Sequence, residues 1–359
     1  MYYLSLTMSP GILNQRLDSD APKAARQARV SPERGWLVLG NIKRKRTEKL
    51  TAEGFECLNN EEYEKALKIA DQLEELRFSS SFEIAAQAYS GLGDLEKAVS
   101  ALERGVKLAP DVWGNWQLLG NYLSDLGRFE SAAAAYRSAL KCPNAHAGSI
   151  QLNQAILANR QNNFDEALQI LGKIDDKDLL LHISEARISS LKGLNKIEEA
   201  ISLANRVLSE LSDKDNDAEL RDRVAAALGS LRLMNGEDKK VVRQWAIYSA
   251  KNHTRSRMLL ALIRDIDAKY SETANYYRLL IHGIIPITSP RYREAKGFYT
   301  TYDVVADNAD EGLRYIRDFE DDDVKGNLFI DKEDLMQQRS NDPKGVYWHS
   351  GYSFYEKED

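Results

Sequence analysis

The chain has 359 residues, of which 43% are hydrophobic and 29% charged, and its formal net charge is −6. That balance gives no global attraction to nucleic acid, and no run of eighteen or more apolar residues occurs to form a membrane-spanning helix. The two cysteines, Cys57 and Cys142, fall in the first and third of the repeats described below, too far apart to be expected to pair, and read as reduced thiols of a cytoplasmic protein.

Residues 1–46 lack sustained periodicity. Tyr2-Tyr3-Leu4-Ser5-Leu6 has no basic start and is too short for a secretory signal, and Met8 is an alternative first residue that would set residues 1–7 apart. Pro, Ser, Ala and charges mix through residues 9–34, which reads as disorder. Nine Lys/Arg against three Asp/Glu make residues 1–46 a basic segment. Its tetrad Lys43-Arg44-Lys45-Arg46 is either a solvated lead-in to the first helix or a charge cluster for nucleic acid, anionic lipid or an import receptor.

Residues 47–253 carry a repeat. In Trp116–Ala139, Trp116, Leu119, Gly120 and Leu123 fall on one helical face. Gly127 follows where a helix end needs positive φ, and Phe129, Ala132, Tyr136 and Ala139 make a second apolar stripe. Small Gly120 and Ala132 let two helices approach, and the large Trp116 and Tyr136 fill the remaining wedge. The small residue of the second helix recurs as Ala66, Ala98, Ala132, Ala167 and Ala200, at steps of 32, 34, 35 and 33 residues. Gly93 and Gly127 occupy the turn, and Asn162 and Asn195 stand in for glycine there because Asn tolerates the left-handed conformation. A sixth copy, over about 216–253, is expected to use Gly229, Gly236, Val241 and Trp245. The polar run Ser212–Asp217 marks a loosening of the stack before it.

The second copy has Phe82, Ala86, Tyr89, Gly93, Ala98, Leu102 and Pro110, and the third has Trp116, Leu119, Gly120, Gly127, Phe129, Ala132, Tyr136 and Ala139. In spacing and residue type these resemble the tetratricopeptide repeat (TPR) family. The resemblance implies an α-solenoid of helix–turn–helix repeats whose concave groove, lined by the first helix of each pair, receives a peptide or helix of a partner protein. Carried over position by position, the groove residues are Glu83, Gln87 and Ser90 in the second repeat and Gln117, Asn121, Ser124 and Asp125 in the third. The fourth supplies Ile156, Asn159 and Arg160, and the fifth His182, Glu185, Ser189 and Lys192. Asn121 and Asn159 carry most weight, since an amide both donates and accepts and can clamp an extended backbone. Family members that grip a carboxyl-terminal tail line the groove with lysines and arginines. Here Glu83 and Gln117 occupy the lysine-equivalent positions, which argues against that carboxylate clamp.

Residues 254–275 are expected to form one more helix, Ser256 to Tyr270, that caps the array or links it onward, with Arg264, Asp265, Asp267 and Lys269 as its polar outer side. Residues 276–359 read as a small α+β domain of order β-β-α-β-β. Strands are expected at Tyr276–Pro286, Gly297–Val305, Leu328–Ile330 and Val346–Tyr355. The helix opens at Asn308 with Glu311 at the capping-box position and buries Leu313, Ile316 and Phe319. From residue 297 onward seven Lys/Arg meet sixteen Asp/Glu, and the densest acidic patch is Asp318, Glu320, Asp321, Asp322 and Asp323.

No catalytic or cofactor motif emerges. His146, His182, His253, His282 and His349 are scattered, and neither an HExxH nor a GxGxxG nor a P-loop pattern occurs. Asp321–Asp323 lacks the alternating ligands and closing Glu of a calcium loop. The sequence therefore reads as a non-catalytic scaffold or adaptor for a protein partner, without metal or cofactor. Two alternatives rest on charge alone: the acidic C-terminal domain neutralises a basic site on a toxin or nuclease, or the chain regulates itself, its acidic tail or its basic N-terminal arm occupying the groove until a signal displaces it.

Overall fold

A computed structural model of the protein describes residues 34–211, 218–252 and 256–356. The expectations for residues 1–33, for the run Ser212–Asp217 and for His253 lie outside these. Internal contacts divide the chain into two compact units, the first ending at Asp176 and the second beginning at Lys177.

Among the described residues, the first unit holds eight helices: α1 (Arg34–Asn59), α2 (Tyr63–Glu75), α3 (Ser80–Gly91), α4 (Leu95–Leu108), α5 (Trp113–Asp125), α6 (Phe129–Ala139), α7 (Ala147–Arg160) and α8 (Phe164–Leu171). They pack in consecutive pairs. Helix α1 begins at Arg34, so the stretch 34–46, expected to be irregular, is helical. Its Leu, Lys and Arg residues have high helix propensity, which outweighs the lack of an apolar stripe.

One turn motif joins every pair in this unit. Glu61, Gly93, Gly127 and Asn162 have φ of 59°, 80°, 72° and 61°. Gly127 N–H donates to Ser124 and Arg128 N–H to Leu123, at 3.0 and 2.8 Å, which satisfies the last carbonyls of α5. A Cβ at Gly93 or Gly127 would meet nothing within 4 Å, so φ alone selects glycine there. Ala66, Ala98, Ala132 and Ala167 are all 0% exposed. At Gly120 the selection is steric: an added Cβ would lie 2.4 Å from the Tyr136 ring.

The second unit opens with α9 (Leu180–Gly193), α10 (Ile197–Glu210), α11 (Ala218–Met234) and α12 (Lys239–Asn252). Asn195 and Gly236 make the turns, with φ of 57° and 85°, and Ala200 is again fully buried. The sixth copy exists as α11 and α12, but one residue out of frame. Val241 is exposed and Val242 buried. The cause is a longer turn, in which Asp238 accepts from the Lys240 and Val241 N–H groups and starts the helix one position later.

Helix α13 (Arg257–Asp267) follows, then β1 (Asn275–Ile284), β2 (Gly297–Ala306), α14 (Ala309–Arg317), β3 (Leu328–Gln337), β4 (Gly345–His349) and β5 (Ser353–Tyr355). The sheet is antiparallel in the order β3-β1-β2-β4, with β5 on the other end of β2. Leu279 pairs with Tyr302, and Arg278 with Asp303. The α14 cap is as expected: Asn308 Oδ1 accepts from Glu311 N–H at 2.9 Å, and Leu313, Ile316 and Phe319 are buried. β3 is ten residues long rather than three because pairing with β1 extends it across the charged run Asp331–Asp334. The last strand is broken in two where Ser350 turns its hydroxyl to the Thr301 N–H.

A single hydrophobic core runs from Ala225 through Leu259 and Leu279 to Val346, so α11, α12 and α13 share an interior with the sheet. This places two residues of α13 expected at the outside against protein. Arg264 lies over the Tyr347 ring, and Asp267 receives a bidentate bond from Arg243 at 2.6 and 2.9 Å. The fold is mainly α: solenoid-like helix–turn–helix repeats make up the first unit and open the second, which ends in a small α+β layer.

Candidate functional site

In the first unit α3 lies beside α5, and α5 beside α7. The residues assigned to the groove fall on these first helices, and polar bonds link many of them from one repeat to the next. In α3, Gln87 Nε2 donates to Glu83 Oε1 at 3.2 Å. Between α5 and α7, Ser149 Oγ reaches Gln117 Oε1 at 3.5 Å. Asn121 Oδ1 accepts twice, from Tyr136 O–H and from Asn153 Nδ2, both at 2.9 Å. At the far end Arg160 Nη1 donates to Ser124 Oγ at 2.8 Å and to Asp125 Oδ1 at 2.7 Å.

Asn121 is the centre of this ladder. Burial pushes the Tyr136 phenol above its ordinary pKa, so it remains a donor. With both Oδ1 lone pairs engaged, Asn121 has only its amide N–H groups left to offer. The dual donor–acceptor role expected of it reduces to that of a donor. Gln117 and Ser124 are buried, whereas Glu83, Gln87, Ser90, Asn121, Asn159 and Arg160 are partly exposed. Beneath this surface Ser81 Oγ and Asn115 Nδ2 are buried with no hydrogen-bond partner among the described residues. They are equivalent positions of successive repeats.

Helix α9 carries the four groove residues of the fifth repeat. Glu185 is spent on a bidentate pair with Arg223, at 2.6 and 3.0 Å, and Arg223 also holds Glu219 at 2.9 Å. Burial disfavours the charge of Lys192. His182 and Ser189 are partly exposed.

The acidic patch is extensively paired. Asp318 accepts from Arg243 at 2.7 Å, Asp321 pairs with Lys251 and Arg291, and Asp323 lies 3.3 Å from Arg291. Glu320 is buried between the Tyr302 and Tyr352 hydroxyls, at 3.0 and 3.1 Å, and burial raises its pKa. Asp322 is highly exposed beside Lys325. A cleft of about 710 Å³ gathers Asp318, Glu320 and Asp322 together with Arg243, Lys251, Arg314, Arg317 and Lys325, so the local field is mixed rather than acidic.

Sequence reasoning missed Ser149, Asn153 and Arg223. Asn153 had a signal, being an amide inside the apolar run of α7. Ser149 sits 34 residues after Asn115 and could have been found by continuing the period. Arg223 had none, since its partner is 38 residues away in sequence. Among the described residues no group of three or more His, Cys, Asp or Glu is placed to hold a metal ion, and no helix is long and apolar enough to cross a membrane. Cys57 and Cys142 are both free.

A tetratricopeptide repeat family model matches residues 85–144 and 118–176. A tetratricopeptide repeat protein from Parabacteroides merdae is similar in structure, with a TM-score of 0.51 and 17% identity over 62% of this chain and 84% of that one. A thermophilic TPR protein of Thermus thermophilus is 19% identical over 51% of this chain and 98% of its own, with a TM-score of 0.43. No curated protein matches the sequence. Residues 85–176 match the tetratricopeptide repeat model, and the turn geometry and buried alanines of that stretch agree with it.

Proposed function

We propose that the protein is a non-catalytic scaffold or adaptor, and that α3, α5 and α7 bind an extended peptide or helix of a partner protein. The single observation that carries this reading is the state of Asn121. Its carbonyl is locked by Tyr136 and Asn153, which fixes the side chain and leaves its amide N–H groups as donors on a partly exposed surface. A pre-oriented donor suits a backbone carbonyl of an extended chain and ignores its side chains. Arg160, Glu83 and Gln87 supply mixed charge and amides around it, which favours a polar peptide over a carboxylate tail. The cytoplasm is the expected compartment.

A toxin- or nuclease-neutralising role for the C-terminal layer receives less support. Its carboxylates are already partnered by Arg243, Lys251 and Arg291, and a basic ligand would have to displace those partners.

The test is selection of binding peptides from a random displayed library on the full chain, followed by titration against two variants. Asn121→Leu is expected to weaken the selected peptides by about tenfold, the loss of one oriented hydrogen bond. Asp322→Lys is expected to leave them unchanged. Peptides indifferent to Asn121 but lost in Asp322→Lys would overturn the assignment.

A further inference from the structure

Helix α13 and strands β1, β2 and β4 contribute the lining of a cleft of about 430 Å³, formed by Arg257, Arg264, Tyr276, Arg278, Tyr347 and Trp348 together with Asp303. Its volume is in the range of small-molecule sites. The lining holds three guanidinium groups and one carboxylate. That carboxylate is consumed, because Arg278 Nε and Nη2 donate to its two oxygens at 2.7 and 2.9 Å.

Arg264 is held as a plane. It stacks 3.6 Å from the Tyr347 ring centroid, and its Nη1 donates to the Val346 carbonyl at 2.6 Å. Neither contact supplies a negative charge. Asp265 and Asp342 are close enough to be felt but form no ion pair with it. Burial disfavours the Arg264 cation, so an anion beside it would relieve that cost. Arg257 stands exposed at the start of α13 with no ion pair among the described residues. The N–H groups behind it, of Met258 and Leu259, are already capped by Asp222 at 2.7 and 3.1 Å, so the cationic character here comes from side chains.

The remaining wall is aromatic. Tyr276 and Tyr347 are tilted rings 5.6 Å apart, and Arg278 lies 5.8 Å over Trp348. The lining thus holds a surplus of two positive charges next to flat π surfaces. A phosphate monoester carries about −1.5 to −2 at neutral pH, the fork of a guanidinium matches phosphate oxygens, and nucleobases stack on aromatic side chains.

We propose that this cleft binds a nucleoside monophosphate, with the phosphate gripped by Arg257 and Arg264 and the base against Trp348 and Tyr276. The site is independent of the peptide-binding surface of the first unit, and either reading can fail alone.

Calorimetric titration of the full chain with adenosine, guanosine, cytidine and uridine 5′-monophosphates, with adenosine, and with inorganic phosphate tests it. At least one monophosphate is expected to bind about tenfold more tightly than either adenosine or phosphate, since only it engages both walls. Arg257→Ala, at an exposed position, is expected to weaken that monophosphate by about tenfold while the circular dichroism spectrum stays native. Trp348→Leu is expected to bring its affinity down to that of phosphate. The proposal is overturned if no monophosphate binds at millimolar concentration, if phosphate alone binds equally well, or if folded Arg257→Ala binds unchanged.

Discussion

The two units bury their apolar surface in different ways. In the first, the core is a series of clusters, each built from helices adjacent in sequence: Cys57, Ala66 and Leu73 with Ile84, then Ala86 to Leu157. In the second, one cluster reaches from Ala225 to Val346 and mixes repeat helices with sheet. A stack whose members touch only their neighbours can lose one member without the rest, whereas a shared interior is lost as a whole. Damage should therefore stay local in the first unit and spread in the second.

The largest expected effect tests the shared interior. Leu259 is buried where α13 meets the sheet, and Leu259→Ala should cost about 2–5 kcal/mol. Urea unfolding followed by hydrogen exchange should show α11, α12, β1 and β2 losing protection together. A loss confined to α13 would separate the repeat helices from the sheet.

A smaller effect is expected of Gly120→Ala. The new Cβ must displace the Tyr136 ring, at a cost of about 1–3 kcal/mol. It also disturbs the Tyr136–Asn121 bond. Exchange should rise in α5, α6 and α7 and stay unchanged in α1 and α2. A uniform rise through the first unit would contradict the modular picture.

The smallest effect depends on pH. Asp222, in the second unit, caps α13 and has its pKa raised to about 6 by burial, against 3.8 for a free carboxyl. The native state holds the proton more tightly, so this group's contribution is complete below about 3.8 and is lost as pH rises through about 6. Moving from pH 7 to pH 5 should stabilise the second unit by about 1 kcal/mol through this residue. Asp222→Asn should remove that slope, and an unchanged pH dependence of the urea midpoint would assign it elsewhere.

The same contrast explains what could be read from the residues. Repeat turns are local: Gly127 or Asn162 five residues before a buried alanine states both the φ and the packing. The sixth copy slipped by one because Asp238 lengthens its turn, a change the period cannot see. In the C-terminal layer, alternation and the Asn308 cap announced the order of elements. The length of β3 depended on β1, and the fate of the acidic run depended on Arg243, Lys251 and Arg291 from distant segments. At the candidate groove the first-helix positions were legible. Which of them are already satisfied was not, because the partners of Asn121 and Glu185 come from other helices.

The most direct measurement is a hydrogen-exchange footprint of the full chain with a selected peptide bound. The account predicts slowed exchange in α3, α5 and α7, centred on the turn of helix around Asn121, with α4 and α6 unaffected. Protection confined to the second helices, or to the C-terminal sheet, would contradict it.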